Sequence, residues 1–220
     1  MAQDDRHSHA EAVRPLTNPD EVARQEARNG LKQYDLMMEQ ISYWLHPDRP
    51  FRLRPSAILS LNRMALEGIS EFAGIFRPGQ VKIGGSKHTP PPAHMVPELV
   101  EHLCDYVNDN QTKSPIHLAA FTLWRMNWIH PFVDGNGRTA RTISYIVLCS
   151  RLGYTLPGSN TIPEQIARDK KPYYVALEKV DESERQNTLD ISPMESLLEG
   201  YLASQLLSVV EAARGGSKSE

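Results

Sequence analysis

Residues 130–141 read HPFVDGNGRTAR and bring a histidine, a carboxylate, two glycines and two arginines into one short stretch. Each residue type has a chemical use at this spacing. An unperturbed imidazole titrates at roughly 6.5, so His130 can accept a proton near neutral pH. Gly135, Asn136 and Gly137 form a turn that feeds the start of a helix. Backbone N–H groups there lack intrahelical partners, and the helix dipole adds partial positive charge. Such a nest suits phosphate, and glycine lets the anion reach the backbone. Arg138 and Arg141, three residues apart, can share one helix face and match a di- or triphosphate. Asp134 supplies one carboxylate, the usual protein share of a Mg2+ site completed by water and phosphate oxygens. Base, metal ligand, nest and arginines together make a kit for phosphoryl or nucleotidyl transfer.

Other chemistries fit less well. The Asp-Gly-Asn-Gly start is that of an EF-hand loop, but that loop wants Gly at its sixth position and Glu at its twelfth, where this chain has Thr139 and Tyr145. There is no Walker A sequence. Histidines and cysteines lack zinc-site spacing, since His7 and His9 fall in a polar N-terminal stretch.

The elements that must hold this stretch are helical. Asn18-Pro19-Asp20-Glu21 starts a helix running to about Leu45, with Leu31, Tyr34, Met37, Met38 and Ile41 at helical spacing. Pro55 opens a second, which Gly68 stops. Residues 96–107 form a third. Ser114-Pro115 caps a fourth that is apolar on every side, hence central, and that ends at His130-Pro131. A fifth restarts near Gly137 and runs to Gly153. Thr161-Ile-Pro-Glu164 resembles a capping box for another, and Ser192-Pro193 opens the last. Residues 80–89, QVKIGGSKHT, are the exception: alternation of Val81 and Ile83 with polar residues around Gly84-Gly85 predicts a β-hairpin. The expected fold is therefore all-α with one small hairpin. Residues 1–17 read as a disordered polar tail, 18–52 as a helical extension, 53–205 as the main domain, and 206–220 as the end of the last helix and a second tail.

With 220 residues and a net charge of −3, the chain has room for one sizeable core and no global field for nucleic acid or acidic membranes. No stretch reads as a signal peptide or membrane span, and Cys104 and Cys149 read as buried free thiols, so the expectation is a cytoplasmic protein.

Residues 130–141 match each fixed position of the Fic family motif, HPFx(D/E)GN(G/K)RxxR. The helical pattern of residues 55–205, with a hairpin ahead of the motif, also resembles the Fic domain. The resemblance implies a Mg2+-dependent protein adenylyltransferase, which moves AMP from ATP to a Ser, Thr or Tyr hydroxyl of a target protein or of itself. It implies His130 as the base, Phe132 as the loop's core anchor and Asp134 as the Mg2+ ligand at the α- and β-phosphates. It implies that Gly135, Asn136 and Gly137 cradle the phosphates, with Arg138 at the β-phosphate and Arg141 at the γ-phosphate. The related Doc kinases have Lys where this chain has Gly137, so Gly137 favours AMP transfer.

By the same resemblance, Lys82, Ile83, Gly84, Gly85, Ser86, Lys87 and His88 form a flap that pairs with the target segment by its edge. KPYYVALE, residues 171–178, resembles the stretch that lines the base pocket, with Tyr174, Tyr173 and Leu177 as its contacts. Glu67-Gly68 resembles part of the family's inhibitory (S/T)xxxE(G/N) pattern, with Arg63 where Ser or Thr is expected, and implies a Glu67–Arg141 pair that restrains the enzyme. The motif sees phosphates and not the base. Two alternatives therefore stay open: another nucleotide-derived donor, or a nucleotide-binding regulator or toxin-like component silenced by a partner. Homo-oligomerisation is open too.

Overall fold

The computed structural model describes residues 15–215, which form eight α-helices and one 3-10 turn. Of the segments expected as tails, 1–17 and 206–220, residues 1–14 and 216–220 lie outside the described residues, and 206–215 continue the last helix. In order the helices are α1 (Pro19–Trp44), α2 (Pro55–Leu66), α3 (Val96–Asp109), α4 (Pro115–Ile129), α5 (Asn136–Leu152), α6 (Ile162–Arg168), α7 (Lys171–Arg185) and α8 (Ser192–Gly215).

Caps and prolines set these boundaries. Asn18 Oδ1 accepts the Asp20 amide at 2.9 Å and starts α1. Ser114 Oγ accepts the His117 amide at 3.0 Å and starts α4. Thr161 and Glu164 close the capping box of α6. Proline occupies the first turn of α1 to α4, α6 and α7, where a missing N–H costs no helix bond. α2 stops at Leu66, and buried Asn29 of α1 finishes it by donating to the carbonyls of Glu67 (2.9 Å) and Ala65 (3.3 Å).

α4 is the central helix. Leu118, Leu123, Trp124, Met126 and Ile129 are fully buried around its circumference. It packs most extensively on α5 and also touches α3, α7 and α8, while α1 covers α2 and α5. Met37 and Ile41 of α1 join the same core as α4 and α5. Across the opening turns of α4 and α8, His117 bridges Tyr106 (Nε2 to the hydroxyl, 2.8 Å) and Glu195 (Nδ1 to Oε1, 2.6 Å), tying in α3. Cys104 and Cys149 are buried and unbridged. No described helix is long and apolar enough to cross a membrane.

The hairpin expected at 80–89 is corrected. No strand forms among the described residues, although the turn does: the Ser86 amide reaches the Ile83 carbonyl at 3.3 Å, with Gly85 at φ 73°. The return limb runs into Pro90, Pro91 and Pro92, which have no N–H to give a ladder. Side chains do that work instead. Gln80 Nε2 donates to the Pro90 carbonyl at 2.7 Å, and Arg77 donates to that of Pro91.

Candidate active site

The loop between α4 and α5 carries the site. Its two ends are fixed by different means. His130 caps α4 with φ 49° and ψ 60°, a left-handed conformation for a non-glycine residue that precedes a proline. Both conditions disfavour it, at a cost of order 1–3 kcal/mol. The His130 amide still bonds the Met126 carbonyl at 3.0 Å, and its own carbonyl accepts from Arg77 Nε at 2.8 Å. Phe132 is fully buried and packs beside Phe76, with ring centroids 5.9 Å apart. Asn136 then closes the loop in both directions. Its Oδ1 accepts the Phe132 amide and its Nδ2 donates to the Phe132 carbonyl, each at 2.9 Å.

At the α5 end Gly135 sits at φ 75°, and a Cβ there would lie 2.9 Å from Asn62 Nδ2. Asn62 is fully buried; it donates to the Asp134 carbonyl at 3.0 Å and accepts the Gly74 amide at 3.0 Å. The turn is thus braced from α2. The first-turn amides of α5 have no intrahelical acceptor and face outward as a nest. A Cβ on Gly137 would come 3.2 Å from Arg141 Nη1, so glycine leaves that guanidinium room.

A cavity of about 570 Å3 opens over this nest. That volume suits a nucleotide-sized ligand. It brings together His130, Asp134, Gly135, Asn136, Gly137, Arg138 and Arg141. Tyr173, Tyr174 and Leu177 of α7 line it, and so do Ile83, Gly84, Gly85, Ser86 and His88 of the flap segment. Lys82 and Lys87 do not line it. The side-chain amide of Asn136 is spent on Phe132, so its backbone N–H is the group left to cradle an anion. Tyr173 is buried while Tyr174 is half exposed, so Tyr174 is the ring a ligand can cover.

Burial pushes the His130 imidazole down to about 4, with the Arg77 and His88 charges adding to that effect. The Asn127 carbonyl and the Asp134 carboxylate oppose it more weakly. Nδ1 is buried with no acceptor in full hydrogen-bond geometry, although the Asn127 carbonyl lies close enough to the ring to favour its proton, and Nε2 is the nitrogen left for the cavity that the ring lines. The ring is therefore neutral and free to accept a proton, though less basic than a solvated imidazole. Burial also lowers the Arg141 pKa, partly offset by Tyr173 and Tyr174. Arg141 has no carboxylate within 4.0 Å among the described residues. A mostly buried, unpaired guanidinium in a cavity calls for an anion.

Asp134 fits a single-carboxylate Mg2+ site. Its Oδ1 accepts the Gly135 amide at 2.6 Å, its Oδ2 is 3.8 Å from Arg138 Nη2, and the side chain is two-thirds exposed toward the cavity. No cluster of three or more His, Cys, Asp or Glu exists among the described residues, so an ion here would take its other ligands from phosphate and water.

Glu67 does not meet Arg141. Its Oε2 accepts from Lys32 Nζ at 2.9 Å, because α2 ends one residue earlier and the extended backbone at Glu67 turns the side chain toward α1. The acid outside the motif that does touch a motif arginine is Glu26 of α1, whose Oε1 lies 3.3 Å from Arg138 Nη2. Sequence reasoning also missed Lys170, Glu178 and Asp181 of the cavity wall. Their spacing of four, with Tyr174 and Leu177, put them on one face of α7 and was legible. Arg77, Asn62 and Glu26 gave no such signal.

Comparison with known proteins agrees with this geometry. Residues 52–148 match the Fic/DOC family model. The chain is 34% identical over 130 residues to the protein adenylyltransferase Fic of Drosophila willistoni, covering 58% of this chain and 24% of that one. It is 32% identical over 159 residues to the protein of the same name from Drosophila grimshawi, covering 71% and 31%. It therefore spans about a quarter to a third of these relatives' length. A Fic domain containing signaling protein of Bacteroides thetaiotaomicron shares the fold with a TM-score of 0.71 at 24% identity, over 91% of this chain and 76% of that one. A Fic family protein of Desulfovibrio desulfuricans does so at 0.66 and 23%, over 91% and 56%. Residues 52–148 thus form a Fic/DOC domain within this chain.

Proposed function

We propose that the protein is an adenylyltransferase that moves AMP from ATP to a hydroxyl of a protein, its own chain included. One observation carries this reading: a partly buried His130, kept neutral by desolvation, and an Arg141 with no carboxylate within 4.0 Å among the described residues line the same cavity as the first turn of α5. The names of the Drosophila relatives point the same way. In the reaction, the target hydroxyl gives its proton to His130 Nε2 while its oxygen attacks the α-phosphorus. The α–β bridging P–O bond breaks and pyrophosphate leaves. The nest, Arg138 and Arg141 hold the triphosphate so that the α-phosphorus faces the histidine. Mg2+ on Asp134 would neutralise phosphate charge. Tyr174 and Leu177 cover the base.

The turn at Gly84-Gly85 borders the same cavity, and its limbs form no ladder with each other. Their main-chain groups are therefore available to pair with an extended target segment.

Intact-mass spectrometry after incubation with Mg2+ and ATP, UTP, GTP or CTP tests the reading. The expected product is the chain or an added protein heavier by one adenylate, formed from ATP and absent with His130→Ala. Uptake from another nucleotide in preference to ATP would transfer the reading to that donor. Nucleotide binding without any product would favour a regulatory component.

A further inference from the structure

Arg77 lies outside the motif and outside every stretch the sequence singled out, yet among the described residues it is the one charged side chain in the buried set, 2% exposed. A buried charge is costly unless paired or fully hydrogen-bonded. Arg77 has no carboxylate within 4.0 Å among the described residues. Carbonyls satisfy it instead. Nε donates to the His130 carbonyl at 2.8 Å, Nη1 to that of Gly79 at 2.9 Å, and Nη2 to that of Pro91, with Ile129 O more distant at 3.5 Å. The Arg77 amide bonds the Pro131 carbonyl at 2.9 Å.

The identity of those acceptors is the informative part. Ile129, His130 and Pro131 are the end of α4 and the start of the motif loop. Gly79 and Pro91 are the two feet of the flap, on either side of Gly84-Gly85. A planar guanidinium donates in fixed directions, so one group sets three segments at fixed angles to one another. The His130 backbone it holds is the left-handed, pre-proline one that most needs holding. The flap lacks a backbone ladder to set its own position.

We propose that Arg77 is a positioning residue: it fixes both feet of the flap to the backbone of His130, so that a segment paired along the flap meets the imidazole in register. The inference rests on the adenylyl-transfer reading for the meaning of that register, but the clamp itself has a readout that needs no activity.

The full chain is compared with Arg77→Gln and Arg77→Lys. Lysine keeps the charge among the carbonyls and loses the fork. Hydrogen exchange followed by mass spectrometry is expected to show amides of residues 79–92 exchanging about tenfold faster in both variants, with α3 and α5 unchanged. The Kd for α,β-methylene-ATP with Mg2+ should stay within about twofold, while adenylate transfer at saturating ATP falls about a hundredfold, since a small misplacement of reacting groups has that effect. An Arg77→Lys protein matching wild type in exchange and transfer would overturn the proposal, because charge alone would then suffice. So would faster exchange throughout the helices with a parallel loss of nucleotide affinity, or failure of both variants to fold, since Arg77 would then serve the fold as a whole. If wild type transfers no adenylate yet the exchange pattern holds, the clamp stands and the adenylyl-transfer reading fails.

Discussion

At the residue scale, the His130 imidazole is set by its surroundings more than by its type. Its pKa is about 4 in the folded chain and roughly 6.5 unfolded. Between those values the unfolded chain binds the proton and the folded chain does not. Stability is therefore retained above about 6.5 and falls as pH drops toward about 4. His130→Asn removes this contribution, so its urea midpoint should decline less than that of wild type between about pH 7 and pH 4.5. A bound triphosphate opposes the shift by favouring imidazolium. The acid limb of kcat/KM, which reports the free protein, should accordingly lie below that of kcat. The identity of the base was legible in HPFVDGNGRTAR. Its left-handed backbone and lowered pKa were not, because the pKa is lowered mainly by burial in the folded core and the backbone is held by Arg77, 53 residues away in the chain.

At the element scale, the α5 start is built by α2 as much as by its own glycines. Gly135→Ala would place a Cβ 2.9 Å from Asn62 Nδ2 at a φ of 75°. Thermal denaturation should show a loss of about 1–3 kcal/mol, with phosphate binding weakened as the nest shifts. α1 adds a control the motif does not contain. Glu26 must share or release Arg138 when a phosphate arrives. Glu26→Gln should tighten α,β-methylene-ATP binding by about two- to fivefold at low salt and less at high salt, the scale of a partly exposed ion pair. Glu67→Gln should leave it unchanged, since Lys32 holds that carboxylate. A rise in transfer on Glu67→Gln alone would restore the pairing read from the sequence. Helix starts were readable because prolines and Asn, Ser and Thr caps are local signals. The missing ladder at 80–92 was not, although the three prolines that prevent it stood in plain view. Alternation sets which way side chains face, whereas a ladder needs N–H donors on both limbs.

At the scale of the whole molecule, one helical core presents three separate chain segments to one cavity: the loop between α4 and α5, the outer face of α7, and the flap. No single stretch of sequence reports that convergence: the spacing of Lys170, Glu178 and Asp181 placed them beside Tyr174 and Leu177, but only the fold shows that this face meets the motif loop. The central claim is that the cavity holds a triphosphate with its α-phosphorus, not its γ-phosphorus, facing His130. Labelling with ATP carrying 32P at either the α- or the γ-position tests it directly, in the presence of Mg2+ and with His130→Ala beside wild type. The account predicts protein-bound label from the α-position only, and none from either position in His130→Ala. Label arriving from the γ-position, or α-label persisting without the histidine, would contradict it.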